Sequence, residues 1–273
     1  MKTSNTLLTF ILLTSFSCTN NLQTAGPGQS YLDPALPADK RVELLLKEMT
    51  LEEKIGQMCQ YVGEPSKSNA LNNADEIVDY KLGMEDKASL IRKGLVGSFL
   101  KVPGYKEADY LQQQAEQSRL RIPLLIATDA IHGHGMDLDA ATIFPGPIGM
   151  ASAFDTAMAA QIAMITAKEM RATGFHWTFS PNLDIVRDAR WGRTGETFGE
   201  DTYLATELGL AMIRAYQGKD FSGQNNVLAC AKHLVAGGIA YNGLNGAPAD
   251  VSERTLQEVF YPPFRKAEYE CFY

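Results

Sequence analysis

The spacing of apolar positions changes along this chain. Between residues 42 and 49, Val42, Leu45, Leu46 and Met49 recur at three- and four-residue intervals, the period of one helical face. Thr50 followed by Glu53 has the spacing of a capping box, in which each side chain satisfies the other's backbone N–H. It predicts a second helix over TLEEKIGQM, and the polar stretch after it, to about Lys93, reads as helical. From residue 95 two kinds of segment alternate. GLVGSFLK, PLLIATDA, HWTFSPNLDI and VLACAKHLVA are apolar runs of strand length. Helical patterns separate them: EADYLQQQAEQSR, the stretch 155–171 closed by Gly174, and DTYLATELGLAMIRAYQ between Asp201 as N-cap and Gly218. SERTLQEVFYPPF, with Ser252 as N-cap, follows the last run.

Strands that are apolar almost throughout need cover on both faces, which means a parallel sheet beneath helices. A doubly wound dinucleotide-binding sheet carries a GxGxxG turn after its first strand, and this chain has none. The fold class expected is α/β, a (β/α)8 TIM-barrel-type domain, incomplete, with about its first four βα units. All strand C-termini of such a barrel open onto one mouth, where Asp129, Asp184, Arg187, Lys232 and His233 would converge.

The N-terminus follows a different pattern. Met1–Lys2 precedes an apolar run over 7–16 that is too short to span a bilayer. Residues 1–18 read as a secretory signal peptide, 19–37 as a polar linker and 38–273 as the barrel segment. Cys18 after small residues also fits a bacterial lipoprotein signal and is a candidate lipid-attachment site. An exported protein is expected, periplasmic or lipid-anchored at the outer membrane, with Cys18 its sole membrane link.

Composition narrows the partners. The formal charge of −7 and the absence of a basic stretch argue against nucleic acid. Cys59, Cys230 and Cys271 show no CxxC spacing, hence neither a zinc ribbon nor a disulfide framework. Cys230 reads as a small buried hydrophobe.

Three polar motifs carry candidate chemistry. In TDAIHGHG, His132 and His134 sit two apart as zinc ligands sometimes do, but no third ligand stands at fixed spacing, and the glycines favour a tight turn. No metal and no cofactor are expected, and Asp129 is read as a hydrogen-bond acceptor for a ligand. Lys232 and His233 are neighbours on a strand and should face opposite ways, so the residues alone assign only one of them to a ligand. RDARWGRTGETFGED, at 187–201, packs three arginines and four carboxylates around Trp191. It is either a loop ion-pair cluster or a clamp for a hydroxyl-rich ligand, since guanidinium donors match diols.

Taken in order, MTLEEKIGQM, IPLLIATDAIHGHG, FSPNLDIVRDARWGRTGETFGED, CAKHLVAGG and DVSERTLQEVFYPPF resemble glycoside hydrolase family 3, the β-glucosidase and β-xylosidase family, over about 45–267. The resemblance implies that Asp129, Arg193, Lys232 and His233 bind hydroxyls of the sugar whose bond is broken, with Arg187 and Glu196 supporting them. It also implies an unusual backbone at the Lys-His pair, which lifts the objection above. The expected ligands are β-linked glucosides or oligosaccharides, cleaved at terminal non-reducing β-D-glucosyl residues with retention of configuration. The alternatives are a β-xylosidase of the same family and a non-catalytic sugar-binding remnant. An N-acetylglucosaminidase fits less well, because KHLVAGG lacks the Pro of that group's K-H-x-P-G loop. No residue here matches the family's nucleophile or acid/base, so both are expected beyond Tyr273. The chain is expected to be a truncated piece without activity of its own.

Overall fold

The computed structural model describes residues 30–63, 84–136, 141–219, 221 and 223–271. The N-terminal leader with Cys18, and residues 64–83 of the polar stretch, lie outside the described residues. Two compact units are distinguished, Met1–Met49 and Thr50–Tyr273.

The smaller unit contains helix α1 (Ala38–Glu48). Asp39 in its first turn and Lys47 in its last complement the helix dipole. Arg41 Nε donates to the Tyr31 carbonyl at 2.7 Å and ties the approach to the helix. The expected apolar face forms, but no residue of the helix is buried, and Val42 and Leu46 are about half exposed.

The larger unit opens with α2 (Leu51–Gln57), and the capping box is complete: Glu53 N donates to Thr50 Oγ1 and Thr50 N to Glu53 Oε2. Strand β1 (Gln60–Val62) follows, where the sequence had suggested continuing helix. A three-residue strand is too short for alternation to register, so the pattern gave no warning. Beyond it come α3 (Met84–Arg92), β2 (Ser98–Leu100), α4 (Tyr105–Glu116), β3 (Leu125–Thr128), α5 (Pro147–Ala151), α6 (Thr156–Ala172), β4 (Trp177–Thr178) and α7 (Thr202–Gln217). The four strands pair in parallel in chain order, β1-β2-β3-β4, the succession of a barrel wall.

The stretch VLACAKH does not form a full strand. It lies beside β4 and the chain after it through two parallel bridges, Leu228 to Trp177 and Lys232 to Asn182. Because β1 precedes the runs counted from the sequence, this segment holds the fifth place in the wall, not the fourth. The last helical stretch is broken as well. A short α8 (Glu253–Thr255), capped by Ser252, widens into a π turn over Leu256–Phe260 before α9 (Pro262–Cys271). Pro262 and Pro263 lack the N–H groups a regular ladder would need, which accounts for the break.

The core lies between the strands and α6/α7. Phe99, Ile126, Phe175 and Leu183 meet Leu208, Ile213 and Tyr216, with Ala159, Ala163 and Ala167 as a small-residue stripe along α6. Each large side chain buried there contributes roughly 1.5–3 kcal/mol. Asp155 caps α6 by accepting from Ala157 N and Met158 N, Asp201 caps α7 by accepting from Leu204 N, and Gly218 at φ +65° ends α7. These caps fix where each helix starts, and therefore where each strand's C-terminal end comes to lie.

Candidate functional site

Because the strands are parallel, the residues just past them gather on one side. Lys101 follows β2, Asp129 follows β3, Asp184 closes the extended chain after β4, and Lys232 and His233 end the fifth segment. Lys232 Nζ donates to Asp129 Oδ1 at 2.5 Å, and Lys101 Nζ lies 3.9 Å from Asp129 Oδ2. About a quarter of the Asp129 side chain remains open.

His233 joins a second cluster. The Lys232–His233 peptide is cis. The His233 ring meets Asp184 Oδ2 through Nδ1 at 2.7 Å, and its backbone N–H donates to the same oxygen at 3.3 Å. Arg193 Nη1 stands 3.3 Å from His233 Nε2. Asp184 is buried, and its Oδ1 and the Nδ2 of Asn182 have no hydrogen-bond partner among the described residues.

The RWGR loop supplies the guanidinium. Glu196 holds Arg193 in a fork, Nε at 3.1 Å and Nη2 at 2.7 Å, and Trp191 lies under the cation with its ring centroid 5.9 Å away. Trp191 is itself fixed, being buried and donating from Nε1 to Asn245 Oδ1. Burial works against the Arg193 charge, but the Glu196 bond and the charges of Glu196, Asp184 and Asp129 outweigh it and raise its pKa further. Two backbones lock the loop: Arg187 N and Asp188 N both donate to the Gly238 carbonyl, at 2.9 and 3.1 Å. A Cβ on Gly238 would stand 2.4 Å from the Ile185 carbonyl, so only glycine lets the two loops approach.

The sequence-derived residues are thus distributed unevenly. Asp129 and Lys232 form one pair, and Arg193, Glu196 and His233 form a connected set. Arg187 does not join them: its side chain is exposed and makes no hydrogen bond or ion pair among the described residues, and only its backbone contributes. Sequence reasoning placed Asp184 at the mouth without a contact of its own and did not single out Lys101. The signal for both was the same as for Asp129, a charged residue ending an apolar run. His132 and His134 are tied down separately, to the Phe144 carbonyl at 2.8 Å and Thr173 Oγ1 at 2.9 Å, and no metal-holding cluster occurs among the described residues. Cys230 is half-buried rather than fully enclosed, and burial raises its thiol pKa.

Chemically this arrangement can bind a neutral, hydroxyl-rich ligand. It offers charged donors (Lys232, Arg193), a charged acceptor (Asp129) and an imidazole edge, supported by groups already bonded to one another.

Similarity to known proteins identifies the family. The profile of the Glycosyl hydrolase family 3 N terminal domain matches residues 50–270. A periplasmic β-glucosidase of Salmonella typhimurium is 33% identical over 83% of this chain and 27% of its own length. A putative β-xylosidase of Formosa agariphila is 34% identical over 97% of this chain and 35% of its own length. A mutant β-glucosidase from Listeria innocua, solved in complex with laminaribiose, superposes with a TM-score of 0.69 at 33% identity, covering 84% of this chain and 31% of that one. The chain therefore spans about a third of the length of these relatives. The matched segment, the parallel wall and the identities together place the chain in glycosyl hydrolase family 3, whose N-terminal domain accounts for residues 50–270.

Proposed function

We propose that residues 50–270 hold the terminal glucosyl unit of a β-linked glucoside in a retaining glycoside hydrolase. The observation that carries the reading is the convergence of Lys232, Asp129, Arg193 and His233 at the C-terminal ends of adjacent strands, with Asp129 and His233 still partly open. A neutral sugar gains charge-assisted bonds there and pays no cost of burying a charge of its own. The work is divided: this segment binds, and the two carboxyl groups that retaining hydrolysis places roughly 5–5.5 Å apart are assigned to none of its residues. Binding alone leaves the chemical barrier nearly untouched.

The test is a chimera in which residues 50–270 replace the matched segment of the Listeria innocua enzyme. Hydrolysis of an aryl β-glucoside is expected, as is its loss on Asp129→Asn. Turnover by the 273-residue chain alone, abolished by Asp129→Asn, would overturn the division of work. The β-xylosidase reading has support from the Formosa relative, and the ratio of aryl xyloside to aryl glucoside hydrolysis in the chimera decides it.

Export is part of the same proposal, supported by the apolar run over 7–16 and the periplasmic relative. Cys18 is assigned as the lipid-attachment site. Membrane association unchanged in Cys18→Ser, with no acyl mass on the native protein, would refute that assignment.

A further inference from the structure

We infer that Asp184 is a positioning residue: it fixes the His233 ring as the tautomer protonated on Nδ1, so that Nε2 meets a bound sugar hydroxyl as an acceptor. The identity of the ligand rests on the sugar-binding reading; the tautomer does not.

The argument starts from what each neighbour can offer. Asp184 Oδ2 accepts from the His233 backbone at 3.3 Å and lies 2.7 Å from Nδ1, so a single oxygen orients both the main chain and the ring. On the other side of the ring Arg193 Nη1 is 3.3 Å from Nε2, and a guanidinium has donors only. With a carboxylate at Nδ1 and a guanidinium at Nε2, one arrangement makes both contacts hydrogen bonds. The proton sits on Nδ1, and Nε2 keeps its lone pair.

The carboxylate is built to stay where it is. Its side chain is fully shielded, and Asp184 N donates to Asn182 Oδ1 at 3.0 Å. A Cβ on Gly237 would stand 3.2 Å from Asp184 Oδ1, so glycine there leaves the carboxylate its place. The His233 side chain, by contrast, is 41% exposed, which leaves the Nε2 edge within reach of a ligand.

The consequence is a defined hydrogen-bond polarity. Asp129 and His233 accept, while Arg193 and Lys232 donate. A hydroxyl set between His233 and Arg193 gives its proton to one and takes a bond from the other. A fluorine in its place can do only the second.

The experiment uses the full 273-residue chain, labelled with 15N, and reads the ring nitrogens of His233 near neutral pH, assigned by loss of the signals in His233→Gln. The wild type is expected to show Nδ1 protonated and Nε2 bare. Asp184→Asn keeps an acceptor oxygen and should retain that pattern. Asp184→Ala should show both tautomers in exchange, and glucose affinity should fall about tenfold, the size of one lost hydrogen bond. A wild-type ring protonated on Nε2, singly or together with Nδ1, overturns the inference, as does an unchanged pattern in Asp184→Ala. If Asp184→Ala fails to fold, the wild-type and Asp184→Asn spectra decide it. If the tautomer is as stated but glucose moves none of the cluster's resonances, the sugar-binding reading fails and the role of Asp184 stands.

Discussion

Glu53 and Asp129 are both carboxylates bonded to cations in the larger unit, and they are used in opposite ways. Glu53 is buried, with Arg119 Nε at 3.0 Å on Oε1, Arg119 Nη2 at 2.5 Å on Oε2 and Thr50 N at 2.9 Å on Oε2. Its acceptor positions face α2 and Arg119, and it closes a structural joint. Asp129 has Lys232 on one oxygen and Lys101 more distantly on the other, with a quarter of its side chain open. A carboxylate saturated by its own chain serves the fold, whereas one held by long, movable lysines and left partly open keeps acceptor capacity for a ligand.

The contrast can be broken by mutation. The largest effect is expected from Glu53→Ala, which removes a helix cap and a charged hydrogen-bond pair. Unfolding free energy should drop by about 3 kcal/mol, read by urea titration of the chain; a loss under about 1 kcal/mol would place Glu53 outside the joint. Its pH limb follows. The Arg119 hydrogen bond outweighs burial and lowers the Glu53 pKa below the usual carboxylate value. Its stabilisation is therefore present above the ordinary carboxylate pKa and lost as pH falls through the lowered one, and Glu53→Gln should lack that limb.

Next comes the open member. In the chimera, Asp129→Asn or Lys232→Met should lower kcat/KM at least about tenfold, about 1.4 kcal/mol, because an ion-assisted hydroxyl contact is lost. Unchanged kinetics in both variants would remove them from the sugar contact.

A smaller effect is expected at His176, which accepts from Ile126 N at 3.5 Å. Burial, helped by the Arg171 charge, lowers its pKa to about 4. The unfolded chain binds the proton more readily, so stability falls as pH drops from the ordinary histidine value of about 6.5 toward about 4. Because the ring is only half-buried and water screens its charge, that loss is discounted to on the order of 1 kcal/mol, and it should be absent in His176→Gln. The smallest effect belongs to Arg190→Ala. The Arg190–Asp188 pair at 2.6 Å is exposed on the arginine side, and its removal should leave the unfolding midpoint where it was.

Much of this was legible in the sequence because local rules and the fold agree. Thr50/Glu53, Asp201 and Ser252 all cap where their side chains predict, since a cap needs only its own first turn. The alternation of apolar runs and helices gave the parallel wall. What stayed hidden depends on distance in the chain. β1 is three residues long and is defined by pairing with β2, not by its own pattern. Asp184 could be seen as a strand-end acid, but its partner lies 49 residues away. Arg187 was expected to support the sugar-binding set alongside Glu196, and only the loop geometry sends it outward while Arg193 turns to Glu196.

The close approach at Gly238 also bears on how this mouth could be re-engineered. A selection that randomised residues 232–238 for a bulkier sugar should return glycine at 238 whatever was selected, because any side chain there meets the Ile185 carbonyl. A library extended to residue 244 should diversify freely at Leu234 and Leu244, whose side chains are 71% and 62% exposed. Evolvability on this side of the protein is thus confined to the outer edge of the loop, while its inner edge is fixed by a single missing methyl group.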